Sequence, residues 1–253
     1  MSEAATRPEP RQESGQDRCQ VPDPAPRCYA LVPCAGTGSR AGAAGPKQYA
    51  AIAGQPLVAH TLAALAGVLR LQATLVVLAP DDDQFEQQVP NFAGTRGWIA
   101  RVGGTSRAQT VANGLATLRT HGALDHDWVL VHDAARCLVR PQWIDALIDA
   151  CVDDPVGGLL ALPLADTLKQ AQHGRVTGTL DRSDKWHAQT PQMFRLGVLR
   201  DALQRAGSHV TDEASAVEAC GLSQLLVRGS LENFKLTYAS DFALAERLLR
   251  TRE

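Results

Sequence analysis

The chain has no surplus of positive charge. Its 25 Lys and Arg are offset by 27 Asp and Glu, for a net charge of -2, so no basic field is present to hold nucleic acid. No apolar run reaches the length of a membrane span. Six cysteines, Cys19, Cys28, Cys34, Cys137, Cys151 and Cys220, show neither a Cys-x-x-Cys nor a paired Cys/His spacing. That argues against a zinc site or a disulfide framework and places the chain in a reducing cytosol. No Ser-His-Asp arrangement is evident. Residues 1–27 lack the apolar segment of a signal peptide and carry Pro8, Pro10, Pro22, Pro24 and Pro26 among mixed charges. They read as a disordered polar tail, because they cannot bury enough surface to fold.

What is present centres on one stretch. The apolar run Cys28 to Val32 reads as a buried strand that breaks at Pro33 into Cys34-Ala35-Gly36-Thr37-Gly38-Ser39-Arg40. Glycines let the backbone approach a ligand closely, and free backbone N–H groups there form a concave anion site. Arg40 and Lys47 follow with no acid between them. Donors for phosphates followed by cations is the arrangement phosphoryl chemistry needs. Gly38-Ser39-Arg40 does not supply the Gly-Lys-Ser/Thr of a Walker loop. Ala41 stands at the third position of a dinucleotide fingerprint, but the Gly-, Ala- and Pro-rich region that follows does not read as the required helix. A lone Gly-x-Gly also suits a structural turn; the Arg40/Lys47 pair favours function.

Along the chain, helices are expected at Pro56–Leu69, with Leu57, Leu62, Leu65 and Leu69 on one side, from a capping Thr105 or Ser106 behind Gly103-Gly104 to about Leu118, its N-terminus open to an anion or a base edge, at Pro141–Val152, and at Leu196–Ala206. Strands are expected at Ala73–Ala79, Trp98–Val102, Asp127–His132, Gly157–Leu162 and Leu222–Val227. A mostly parallel α/β sheet with helices on both faces follows. Gly36, Gly104 and Asp133 then fall at carboxyl ends of strands, where ligands bind such sheets. Asp81-Asp82-Asp83 suits either a metal cluster or an acidic helix start, and the helix dipole favours the second. Asp133 suits a magnesium position, a helix cap or a salt bridge to Arg136. Residues 163–187 break the rhythm as a hairpin turning near Gly174. Such an arm, with unpaired edges, is expected to pair with a second copy of the chain. His187 reads as a packed structural histidine, since no acid lies near it. Thr211 or Asp212 caps a helix running to Cys220, ended by Gly221. Lys235 and Thr237 face the same way on an extended segment, and Lys235 alone reads as a solvated surface charge. A last helix starts at Ser240 or Asp241.

In order from Cys28 to the C-terminus, Pro33–Arg40, Pro46-Lys47-Gln48-Tyr49, Gly103-Gly104 with Arg107 and Thr110, and Val131–Arg136 stand as a set. Asp166–Lys169, Asp181-Arg182, Trp186–Gln192, Thr211–Ala216 and Lys235-Leu236-Thr237 continue it. This set closely resembles the 2-C-methyl-D-erythritol 4-phosphate cytidylyltransferases of non-mevalonate isoprenoid synthesis. The resemblance implies a Rossmann-like domain over 28–253 and a reaction of CTP with methylerythritol phosphate that gives a cytidine diphosphate sugar alcohol and pyrophosphate. It implies magnesium and a cytoplasmic homodimer built through the arm. The matches of Arg40 and Lys47 would act on the α-phosphate, with Arg182 and Lys235 as further catalytic cations. Cys34, Ala35, Gly36, Thr37, Gly38, Gly104, Thr105, Arg107 and Thr110 would hold CTP. Asp133, Ala134, Arg136, Thr167, Arg182, Thr211, Lys235 and Thr237 would hold the acceptor, Thr167 and Arg182 from the partner's arm, and Asp133 would be the metal ligand.

The sequence departs from that family pattern in places. Cys34 replaces a usual alanine, and nearby cations are expected to lower its pKa. Cys137 stands where proline often follows and is expected to loosen that loop. Thr105 replaces an acid. Two rivals share many of these residues: a ribitol 5-phosphate cytidylyltransferase of the same fold, and a nucleotide-binding regulatory domain that lost the chemistry. The retained cations speak against the second. Some relatives are fused to the next-but-one pathway enzyme, and the length is read as too short for that.

Overall fold

The computed structural model describes residues 24–36, 45–207 and 210–252. Strand β1 (Cys28–Cys34) is followed by a 3-10 turn at Lys47–Tyr49 and a small hairpin of β2 (Ala51–Ile52) and β3 (Gln55–Pro56). Then come α1 (Leu57–Ala66), β4 (Leu71–Leu78), α2 (Phe85–Gln88), β5 (Gly97–Ala100), α3 (Arg107–Thr120), β6 (Trp128–Val131), α4 (Pro141–Cys151) and β7 (Gly157–Pro163). The arm is β8 (Leu168–Gln172) and β9 (Arg175–Leu180), and the chain closes with β10 (Trp186–Arg195), α5 (Leu196–Ala206), α6 (Glu213–Glu218), β11 (Leu225–Arg228) and α7 (Ala239–Arg250).

Seven strands form one sheet in the order β11-β7-β10-β6-β1-β4-β5. β4, β6 and β1 run parallel, as do β4 with β5 and β11 with β7; β10 alone is antiparallel to its neighbours. The period-2 alternation of β1 divides the core. Ala30, Val32 and Cys34 pack toward α1 and α4, while Tyr29 and Leu31 pack toward α3 and α5. Both faces are therefore covered, which is why the strands read as continuous apolar runs. A third cluster joins Ile52, Leu57, Cys137, Leu138 and Leu236 to Ala245 of α7.

Several expectations are corrected. The first helix stops at Ala66, with Gly67 as its cap, and Leu69 is 85% exposed; Val68, fully buried, takes the core position after the turn. Trp186–Arg195 is more than a return segment: it is a ten-residue strand inserted between β6 and β7. His187 is exposed rather than packed; among the described residues the fully buried histidine is His132. Cys137 is 2% exposed within the third cluster, so the loop there is filled rather than loosened. The N-cap of α2 is Gln84 and none of the three acids; Asp82 lies just before it, its Oδ1 accepting from the N–H groups of Gln84 and Phe85. The hairpin turns at His173 and Gly174, both with positive φ, and its two strands form a separate sheet.

Candidate active site

The carboxyl ends of β1, β5 and β6 open onto a cleft of about 510 Å³. Strand order alone produces this convergence, since β1, β4, β5 and β6 all point the same way. Gly103 is required where two strand ends meet. A Cβ there would stand 2.3 Å from Ala35 Cβ and 2.7 Å from the Leu78 carbonyl oxygen. Its N–H donates to that same oxygen at 2.8 Å. Ser106 then caps α3, accepting from Gln109 N–H at 3.1 Å. The Thr110 hydroxyl donates to Ser106 O at 2.9 Å and accepts from Gly104 N–H at 3.0 Å, fixing the turn that faces the cleft.

Cations meet on the opposite wall. Lys47 Nζ donates to the Leu236 carbonyl at 2.6 Å, a link across 189 positions of sequence. Leu236 N–H in turn donates to Ala135 O at 2.9 Å, strapping the segment before α7 onto the loop after β6. Lys235 Nζ lies 2.8 Å from Asp133 Oδ2. It is exposed, as its isolation in sequence suggests, but it is paired with a buried carboxylate. Arg107 places Nε and Nη2 each 2.9 Å from Asp133 Oδ1, and its Nη1 2.6 Å from Glu213 Oε1. Arg136 Nε is 4.0 Å from Asp133 Oδ2, while its Nη1 and Nη2 donate to Asn233 O and Ala188 O.

Burial would raise the Asp133 carboxyl, but Arg107, Lys235 and Arg136 outweigh it and hold it well below the usual carboxylate range. Burial raises the Glu213 carboxyl despite Arg107. For Arg107 burial works downward, yet Glu213 and Asp133 together raise its pKa. Burial pushes His132 down to about 4, so the ring is neutral at pH 7. Arg136 O, a carbonyl, can only accept, so the neutral His132 ring donates to it from Nε2–H at 3.2 Å. Nδ1 is then the acceptor and takes the Thr190 hydroxyl proton at 3.1 Å, while Thr190 Oγ1 accepts from Asp133 N–H at 3.0 Å. His132 thus braces the Asp133 loop and offers no base to the cleft. Cys34 is 3% exposed, and burial pushes its thiol well up, opposite to the expectation from nearby cations.

The structure brings Cys34, Ala35, Gly36, Lys47, Gly104, Thr105, Arg107, Thr110, Asp133, Ala134 and Lys235 to this one cleft. Arg136 and Thr211 line an adjoining pocket of about 120 Å³ that shares Arg107, Asp133 and Lys235 with it. Thr167 and Arg182 lie in the exposed arm region and line neither cavity; Arg182 donates to the carbonyls of Leu164 and Ala165. Thr237 also lines neither: its N–H donates to Asp241 Oδ2 at 2.7 Å, at the start of α7. Thr37, Gly38 and Arg40 lie outside the described residues. Sequence reasoning missed Gln48 and Thr190 as parts of the site, and Glu213 as the partner of Arg107 behind it. Gln48 is buried and donates to Cys34 O at 3.2 Å; only its place beside Lys47 hinted at it.

Among the described residues no group of three or more His, Cys, Asp or Glu is placed to hold a metal ion. Asp133, expected as the magnesium ligand, has one oxygen taken by Arg107 and the other by Lys235. Its environment is that of an anion neutralised by cations, so it does not fit a resident metal.

Residues 28–251 match the family described as IspD, 2-C-methyl-D-erythritol 4-phosphate cytidylyltransferase. A bifunctional enzyme IspD/IspF of Albidiferax ferrireducens is 64% identical over 230 residues, which cover 91% of this chain and 54% of that protein. The chain thus spans about half the length of that relative. A 2-C-methyl-D-erythritol 4-phosphate cytidylyltransferase of Burkholderia multivorans is 55% identical, with 88% of this chain and 96% of that one covered. A crystal structure of 4-diphosphocytidyl-2C-methyl-D-erythritol synthase superimposes with a TM-score of 0.79 at 39% identity, covering 88% of this chain and 98% of the other. The Francisella tularensis cytidylyltransferase gives 0.75 at 30% identity, covering 87% and 99%. The chain therefore belongs to the 2-C-methyl-D-erythritol 4-phosphate cytidylyltransferase family.

Proposed function

We propose that the chain joins CTP and 2-C-methyl-D-erythritol 4-phosphate to give 4-diphosphocytidyl-2-C-methyl-D-erythritol and pyrophosphate. The observation that carries this is one cleft in which a glycine-bearing strand end faces Lys47 and Lys235, with an adjoining pocket across the Arg107–Asp133 pair. In this reading an oxygen of the acceptor phosphate attacks the α-phosphorus of CTP. The new P–O bond forms as the bond to the β-phosphate oxygen breaks, and pyrophosphate leaves with the electron pair. A phosphate monoester has a second pKa of about 6. It is mostly dianionic at neutral pH and needs no general base, which agrees with the buried, neutral His132. The obstacle is repulsion between anions and charge gathering on phosphorus, and fixed cations answer it. The three cations Arg107, Arg136 and Lys235 balance the carboxylates of Asp133, Glu213 and Asp212, and Lys47 on the cleft side adds a positive charge beyond that balance.

Arg40, from the sequence, joins Lys47 at the α-phosphate. Magnesium arrives on the triphosphate as part of the substrate, neutralising its charge, and the chain's part is to bind that complex through the strand-end loops. Asp133, Arg136 and Thr211 hold the acceptor. Thr167 and Arg182, exposed and lining neither cavity of their own chain, serve the acceptor pocket of a second copy, making the working unit a homodimer through the arm. Among the described residues no helix is long and apolar enough to cross a membrane, and the five described cysteines are unpaired, in keeping with a cytoplasmic enzyme. The test is pyrophosphate release from CTP with methylerythritol phosphate and, separately, with ribitol 5-phosphate. Turnover confined to the first acceptor is expected; turnover with ribitol 5-phosphate alone would overturn the reading.

A further inference from the structure

We propose that Glu213 is a positioning residue for the transfer: through Arg107 it sets the orientation of the Asp133 carboxylate, and with it the alignment of the acceptor phosphate against the nucleotide. The proposal rests on the cytidylyl-transfer reading above.

Four side chains from four separate segments form a row of alternating charge. Glu213 opens α6, Arg107 opens α3, Asp133 follows β6 and Lys235 precedes α7. The successive contacts are 2.6, 2.9 and 2.8 Å. Arg107, Asp133 and Lys235 line both the large cleft and the adjoining pocket, so the row is the partition between them. An acceptor phosphate in the small pocket must meet the nucleotide across this partition.

Glu213 itself is 0% exposed and lines neither cavity. Its Oε2 is buried with no hydrogen-bond partner among the described residues. A buried carboxylate held through one oxygen is a poor way to stabilise a core, where an apolar side chain of similar volume often does as well. What the pair supplies is direction. The guanidinium is a rigid planar fork. With Nη1 held by Glu213, Nε–H is aimed at Asp133 Oδ1, and Nη2, 2.9 Å from the same oxygen, makes no hydrogen bond among the described residues. That leaves Asp133 Oδ2 turned toward Lys235, which lines both cavities. Without Glu213, Arg107 is free to follow the substrate anions, and Asp133 loses the contact that fixes its plane.

The test compares the parent with Glu213→Gln and Glu213→Asp. Glutamine keeps the length and loses the charge; aspartate keeps the charge and is one methylene too short to reach Arg107. Pyrophosphate release gives kcat/KM for methylerythritol phosphate, and calorimetry gives the CTP affinity separately. A displacement of about an ångström at reacting groups costs on the order of 100-fold. Both variants are therefore expected to lose roughly 30- to 100-fold in acceptor kcat/KM, with CTP affinity within about threefold of the parent. Acceptor kcat/KM within about threefold of the parent, or CTP affinity falling in step with it, would overturn the proposal. Should Glu213→Gln fail to fold, the aspartate variant alone decides. An inactive parent would sink the functional reading and this inference with it, whereas an active parent with unsplit variants sinks the positioning role alone.

Discussion

Replacing Asp133 by asparagine removes one negative charge from among three cations and keeps the shape. The structure says where the cost falls. Lys235, whose side chain is 40% exposed, can turn to water, so its lost contact costs little. Arg136 keeps its bonds to the carbonyls of Asn233 and Ala188. Arg107, 27% exposed, is left with Glu213 as its one anionic partner. Breaking a buried pair from one side costs about 3–5 kcal/mol, and the partial exposure of Arg107 puts this case near 3. At roughly 2–4 °C per kcal/mol for a chain of this size, Tm should fall by about 6–12 °C. Lys235→Met serves as the control and should cost under about 1 kcal/mol. The pH dependence has a definite sign. A carboxylate whose folded pKa is depressed contributes stability above its unfolded pKa of about 4, and that contribution is lost as pH falls through the folded value. The gap in stability between the parent and Asp133→Asn, followed by urea unfolding, should therefore be full at pH 7 and close progressively below about pH 4. A gap that is absent at pH 7, or that widens on acidification, would refute the electrostatic account.

Lys47→Ala, and likewise Arg40→Ala, should reduce turnover by roughly a hundred- to a thousandfold with the fold retained; near-full turnover measured by pyrophosphate release would remove either from its role. Cys34 should react with a thiol reagent far more slowly in the native protein than after denaturation, because burial raises its pKa, and fast native labelling would contradict the buried geometry. Mixing inactive Lys47→Ala with inactive Arg182→Ala should restore roughly a quarter of parental turnover if arms are exchanged in a homodimer, since only mixed dimers assemble one intact site. No recovery after subunit exchange would place Arg182 outside the partner's site.

Much of the scaffold was legible because its signals are local. The apolar run of β1, the Ser106 and Asp212 caps, and the left-handed glycines at 174 and 221 depend on neighbours a few positions away. Leu69 shows the limit of periodicity: it continues the helical spacing, yet Gly67 stops the helix and Val68 takes the burial. Strand Trp186–Arg195 was illegible as an insertion between β6 and β7, because an antiparallel partner choice leaves no mark in the strand's own residues.

By itself the sequence determined the alternation of strands and helices, the placing of Gly36, Gly104 and Asp133 at strand ends, and the resemblance that implied the family. Only the tertiary structure decided which charges neutralise one another. Lys235 looked solvated and Asp133 looked like a metal ligand until folding set them 2.8 Å apart. Arg107 and Glu213, 106 positions apart, became a buried pair. Helix and strand periods arise from backbone geometry between near neighbours, whereas an ion pair depends on distance in space and on the water that packing removes, and neither is encoded at either residue alone.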